Sequence, residues 1–251
     1  MPVIHIPESV VCPLETHGGL PFVKAMVNGS EGLFLIDSGS PRLKLNHSFL
    51  KNTLQVPVNP QEHTMQIDRF AIGEWTADQL TIALFDGTSL EEQFGIELAG
   101  VMGFREWIHF NWIIDLPEKT LQLARKFQLN DEKLIGKARG RYVGHLPVFP
   151  VEIGSETYQV GIVTGFAGLA FDQGLKEQLA PHLLDPSATD SGSTLKYFSI
   201  AGRTLLKTPV IFADLGESDL PKGGYDAIIG TPLLAQGKVL LHWGRRLFAY
   251  L

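Results

Sequence analysis

Leu35-Ile36-Asp37-Ser38-Gly39-Ser40, which closes an apolar run just before Pro41, returns in altered form as Gly161-Ile162-Val163-Thr164-Gly165-Phe166. The features on either side return with it. Upstream, Asn28-Gly29-Ser30-Glu31 matches Ile153-Gly154-Ser155-Glu156. Downstream, Leu43 and Leu45 fall on Leu169 and Phe171, and the glycine of Phe70-Ala71-Ile72-Gly73 falls on that of Ser199-Ile200-Ala201-Gly202. Val101-Met102-Gly103 falls on Ile228-Ile229-Gly230, and Trp112-Ile113-Ile114-Asp115 on Val239-Leu240-Leu241-His242. The offset stays between 125 and 129 residues throughout. A single long period of this kind means two copies of one structural unit. They are placed at residues 1–125 and 146–251, joined by a linker at 126–145.

Each copy reads as β. With 26 Gly and 15 Pro among 251 residues, the apolar segments are cut into pieces of about 4 to 8 residues, a strand length rather than a helix length. Residues 21–27 end at Asn28-Gly29, a strong two-residue hairpin signal, and residues 32–36 return from it. Residues 150–153, the turn Gly154-Ser155 and residues 158–162 repeat the arrangement. Helices are few and short: 48–52 and 173–179 hold equivalent places, and 104–110 has a weaker counterpart at 232–234. The predicted fold is all-β, two homologous lobes facing each other across a cleft.

Composition removes several functions. The chain is 44% hydrophobic and 19% charged, the profile of a globular protein, and its net charge of −6 argues against a nucleic-acid binder that neutralises phosphates. The basic cluster Lys133, Lys137, Arg139 and Arg141, set among glycines, reads as a solvated linker. No apolar run approaches the roughly 18 residues of a membrane span, so no membrane partner is expected. The start, Met1-Pro2-Val3-Ile4-His5-Ile6-Pro7-Glu8, lacks the basic and apolar segments of a secretory leader; the sequence as given reads as cytoplasmic, unless a leader has been removed. One cysteine, Cys12, allows neither an internal disulfide nor a cysteine-rich zinc site. None of the eight histidines has metal-site spacing, and no glycine-rich phosphate loop is present, so neither metal nor cofactor is expected.

The Asp37-Ser38-Gly39-Ser40 loop, together with the two apolar-apolar-Gly strands, resembles the catalytic framework of the pepsin-like and retropepsin-like aspartic proteases. The likeness runs over nearly the whole chain, twice and in order, as in a bacterial-type tandem homologue of that family. It implies lobes of the double-psi barrel type, each with a strand threading beside its Asp-Ser/Thr-Gly loop. It also implies that Asp37 is a catalytic carboxylate and that Ser38 and Thr164 fasten the loops together, with Gly39 and Gly165 at the turns and Ser40 completing the first loop. Family chemistry requires two aspartates about 3 Å apart that share one proton and hold a water between a base and an acid.

The second copy departs from that pattern. Val163 stands where the second aspartate belongs, although Thr164 and Gly165 remain. Asp172, after the strand Leu169-Ala170-Phe171, should point away from the axis between the copies. Asp37 can also be read as a turn-capping carboxylate on a fold kept for another purpose. A Ser-His-Asp reading fails, because Ser38 and Ser40 lie in no Gly-x-Ser-x-Gly elbow. Flaps over the cleft are expected from residues 65–75 and 197–203. Two functions stay open: a catalytically impaired homologue that binds an extended peptide or protein segment in the cleft, and an active peptidase using Asp37 with an unidentified second acid. Because the second lobe already pairs with the first, the protein is expected to be a monomer.

Overall fold

The computed structural model describes residues 3–5, 7–59, 61–104, 108, 110–125, 134–184, 193–217 and 220–251. A short strand β1 (Val3–His5) and the longer β2 (Ser9–His17) lead into the first hairpin, β3 (Leu20–Val27) and β4 (Ser30–Ile36). Its turn, Asn28-Gly29, takes φ values of 49° and 88°. Positive φ at both central residues matches the right-handed twist of the flanking strands, so Val27 pairs with Ser30 and the register runs on to Phe22 opposite Leu35.

Four further strands complete the first lobe: β5 (Lys44–Asn46), β6 (Thr64–Ile72), β7 (Trp75–Phe85) and β8 (Gly100–Met102). β4 runs parallel to β8, β8 antiparallel to β5, β5 parallel to β7, β7 antiparallel to β6, and β6 antiparallel to β3. The ring closes and leaves no open edge among these six strands. Phe34, Phe70, Trp75 and Phe110 stack edge to face inside it, with successive centroids 5.4 to 5.9 Å apart.

The second lobe repeats the ring. After β9 (Asn111–Asp115), β10 (Thr120–Ala124), β11 (Gly136–Arg139) and β12 (Arg141–Val143), the hairpin β13 (Leu146–Ile153) and β14 (Glu156–Ile162) corresponds to β3 and β4. β15 (Leu169–Asp172), β16 (Ser193–Ile200), β17 (Arg203–Ala213) and β18 (Ala227–Ile229) follow. β14 runs parallel to β18, β18 antiparallel to β15, β15 parallel to β17, β17 antiparallel to β16, and β16 meets β13. Every pairing has the orientation of its counterpart in the first lobe.

A third layer joins the two. β2, β10, β9, β19 (Val239–His242), β20 (Leu247–Tyr250) and β11 form six consecutive neighbours in one sheet. The lobes meet where β9 pairs with β19, Trp112 opposite Leu241 and Ile114 opposite Val239. All five residues of β9 are buried, and Trp112 packs on Trp243 with centroids 5.0 Å apart. β11 and β12 occupy part of the stretch read as linker. Lys137, Arg139 and Arg141 there are exposed, while Ala138 turns inward. Lys133 and most of the helix expected at 104–110 lie outside the described residues. The helices at His47–Asn52 and Thr231–Leu234 match expectation, that at 173–179 is a 3₁₀ turn running into a short α-helix, and Thr88–Phe94 is an additional one. None is long and apolar enough to cross a membrane. Cys12 is buried in β2, and burial pushes its thiol up to about 11.

Candidate active site

Each ring ends a strand at the same place. Asp37 N donates to Met102 O at 3.0 Å, and Val163 N donates to Ile229 O at 2.9 Å. Ser40 N donates to Asp37 O and Phe166 N to Val163 O; Phe104 N donates to Ser40 O and Thr231 N to Phe166 O. The loops after β4 and β14 thus share one backbone conformation, each contacted by the glycine and helical turn that leave β8 or β18. The contact is tight: a methyl group on Gly230 would lie 1.9 Å from Phe166 O and 2.4 Å from Val163 O, so only glycine fits there.

The loops interlock through their hydroxyls. Thr164 Oγ1 accepts from Ser38 N at 2.9 Å and donates to Ile36 O at 2.9 Å. Ser38 Oγ accepts from Thr164 N at 3.0 Å and donates to Ile162 O at 2.7 Å. Both side chains are fully buried, so every one of these groups would be costly to leave unpaired.

Asp37 projects from the rim of this interlock and is partly buried. Its Oδ1 accepts from Gly39 N at 2.8 Å and from Gly165 N, in the other lobe, at 3.3 Å. Among the described residues no hydrogen bond reaches Oδ2, so both backbone donors converge on a single oxygen. A methyl group on Gly165 would come within 2.6 Å of Asp37 Cγ, which explains why the second lobe needs glycine there. Burial pushes the Asp37 pKa upward; the two backbone N–H groups and the charges of Lys44 and His145 pull it down without cancelling that rise.

Opposite Asp37 the surface is apolar. Val163 packs with Leu146, Val148, Ala170, Leu215 and Ile228, and Leu220 lies against the same cluster. A methyl group on Gly39 would lie 2.8 Å from Val163 Cγ1, a measure of how closely Val163 abuts the first loop. Asp172 is engaged elsewhere: its Oδ1 accepts from Gly174 N at 2.9 Å and caps the 3₁₀ turn after β15. The hairpins expected as flaps are β6–β7 and β16–β17, but their turns face the shared sheet. Gly73 abuts Val10 of β2, and Gly202 abuts Gly136 of β11. Buried Ile72 and Ile200 draw those ends inward, so neither turn is placed to cover Asp37.

One side chain at the site carries no signal in the repeat. His145, in the turn between β12 and β13, sets Nε2 at 2.7 Å from Gly39 O. Its equivalent in the first copy is glycine, in the Gly18-Gly19 turn, so comparing the copies gives no reason to select it. Among the described residues no cluster of three or more His, Cys, Asp or Glu is arranged to hold a metal ion.

Two barrel-like lobes, crossed loops and a shared basal sheet define the architecture of the pepsin-like aspartic proteinases. The aspartic proteinase from Irpex lacteus, known from its crystal structure, has the same fold: TM-score 0.60, 96% of this chain and 96% of that one aligned, 12% sequence identity. Identity that low shows the fold and nothing finer. No family model matches the sequence, and no curated protein matches it.

Proposed function

We propose that this chain is an aspartic-protease homologue with an incomplete hydrolytic dyad, and that it binds an extended peptide segment between its lobes. The observation that carries the reading is Val163. It sits on the loop equivalent to that of Asp37, supported by the same backbone bonds, yet its side chain can neither ionise nor hold water. Peptide hydrolysis at such a site needs a base to take a proton from water and an acid to protonate the carbonyl. Asp37 can serve as one of these and Val163 as neither. Loss of such acid–base assistance lowers the rate by about 10²- to 10⁴-fold. The interlock that aligns the lobes is fully satisfied, which favours retention of the architecture for recognition, with main-chain pairing and side-chain pockets supplying affinity.

The alternative, an active peptidase using Asp37 and another acid, is favoured by the two backbone donors on Oδ1, one from each lobe, which hold the carboxyl in place. Incubation with a mixed peptide library from pH 3 to 7, read by mass spectrometry, separates the two. No cleavage is expected from the unmodified chain, and acid-side cleavage is expected from Val163→Asp. Cleavage by the unmodified chain that Asp37→Asn abolishes would overturn the impaired-dyad reading.

A further inference from the structure

The turn between β12 and β13 carries His145 from the second lobe onto the first lobe's loop. Since a carbonyl oxygen only accepts, the 2.7 Å contact makes His145 Nε2 the donor to Gly39 O. Gly39 is therefore held from both sides: its N–H on Asp37 Oδ1 at 2.8 Å, its C=O on His145. The turn is itself anchored, because Leu146 is fully buried in the cluster that contains Val163. The imidazole also leans on Phe104, centroids 6.5 Å apart, and Phe104 N bonds Ser40 O of the same loop.

We propose that His145 is a positioning residue for Asp37, and that an imidazole, rather than a second carboxyl, is the second lobe's ionisable contribution to the site. The proposal rests on the reading of Asp37 as the functional carboxylate. A pair of carboxyls must share a proton; a carboxylate beside an imidazolium gains from full ionisation of both. The charge of His145 is among those that act on Asp37, as is Lys44 of β5. Phe104 also packs on Tyr142 of β12, centroids 5.3 Å apart, and Arg246 lies over the Tyr142 ring at 5.9 Å. Burial pushes the Tyr142 hydroxyl up to about 12, so it stays neutral through the acid and neutral range.

The test is the titration of the Asp37 carboxyl carbon by NMR, the signal being assigned by its loss in Asp37→Asn. It is followed in the unmodified chain, His145→Gln and His145→Ala. Glutamine can still donate to Gly39 O but carries no charge. Both variants should raise the Asp37 midpoint, while the Gly39 and Ser40 amide shifts move in His145→Ala and are restored by glutamine. A midpoint in His145→Gln equal to that of the unmodified chain overturns the proposal, and that variant carries the test if His145→Ala fails to fold. No substrate is involved, so the outcome is independent of whether the chain cleaves peptides.

Discussion

Replacing Thr164 with valine keeps the shape of the side chain and removes only its hydroxyl. Two buried groups then lose their partner: Ser38 N, bonded to Thr164 Oγ1 at 2.9 Å, and Ile36 O, which accepts from it at 2.9 Å. Thr164 has no exposed surface, so water has no ready access to either group. An orphaned buried polar group costs about 1–3 kcal/mol, which puts the loss at roughly 2–5 kcal/mol after allowing for some relaxation. Against a total stability on the order of 5–15 kcal/mol that is a large fraction. Urea unfolding followed by tryptophan fluorescence should show a lower midpoint with an unchanged slope. Ser38→Ala orphans the complementary pair, Thr164 N and Ile162 O. In the double variant the loops can part and admit water, so the combined loss should fall short of the sum by about 1 kcal/mol. A Thr164→Val protein within about 0.5 kcal/mol of the unmodified one, or strict additivity, would show that the interlock does not hold the lobes together.

Asp37→Asn tests the raised pKa of Asp37. From the unfolded value near 3.9 up to the raised folded value, the folded chain binds more protons than the unfolded one, so its stability falls with rising pH at up to about 1.4 kcal/mol per unit. Below that window the penalty is absent; the variant should therefore gain stability relative to the unmodified chain at pH 7 compared with pH 3, and an equal difference at both refutes the assignment. Val163→Asp places a second carboxyl among Leu146, Val148 and Ile228 beside Asp37, so its melting temperature should drop relative to the unmodified chain as pH rises from 3 to 7, and a flat difference would mean that the groups do not meet. In Gly165→Ala the added methyl meets Asp37 Cγ at 2.6 Å, with an expected cost of about 1–3 kcal/mol in denaturant unfolding; no measurable loss would mean that the loops yield freely. Sedimentation at micromolar concentration should give a monomer, since the second lobe already pairs with the first at high effective concentration; a dimer would contradict it.

Much of this fold is legible in the sequence because the repeat is carried by residues with strong local meaning. Asn28-Gly29 and Gly154-Ser155 set hairpins of period-two strands, and apolar-apolar-Gly marks a strand that passes close to a loop. What pairs with what over long range is not local. The pairing of β9 with β19 joins strands recognised as equivalent copies but not as neighbours, because two apolar strands carry no label naming their partner. Residues 65–75 were expected to reach over Asp37. Ile72 and Gly73 instead face the shared sheet, a direction set by tertiary burial rather than by the hairpin pattern. Within the site, Asp37, Ser38 and Thr164 are found from the repeat, and Val163 stands out as its exception. His145 is invisible to it, since its role comes from a turn that only the folded lobe brings to Gly39. The helix at Thr88–Phe94 has no buried residue and hence little apolar periodicity to reveal it.

The sheet beneath the lobes draws its strands from both ends of the sequence, and this constrains the order in which a growing polypeptide can assemble. A chain synthesised only as far as β18 already holds both rings, yet β9 has no β19 beside it and β11 has no β20. Its exposed edge is Trp112, Ile113 and Ile114, an apolar strand of the kind that recruits other chains. Until the stretch from Val239 to Tyr250 is added, the crossed loops hold the lobes together at the site while the sheet beneath them stays open. The closing strands therefore act as a late latch, covering the apolar edge of β9 only when the rest of the fold is already in place.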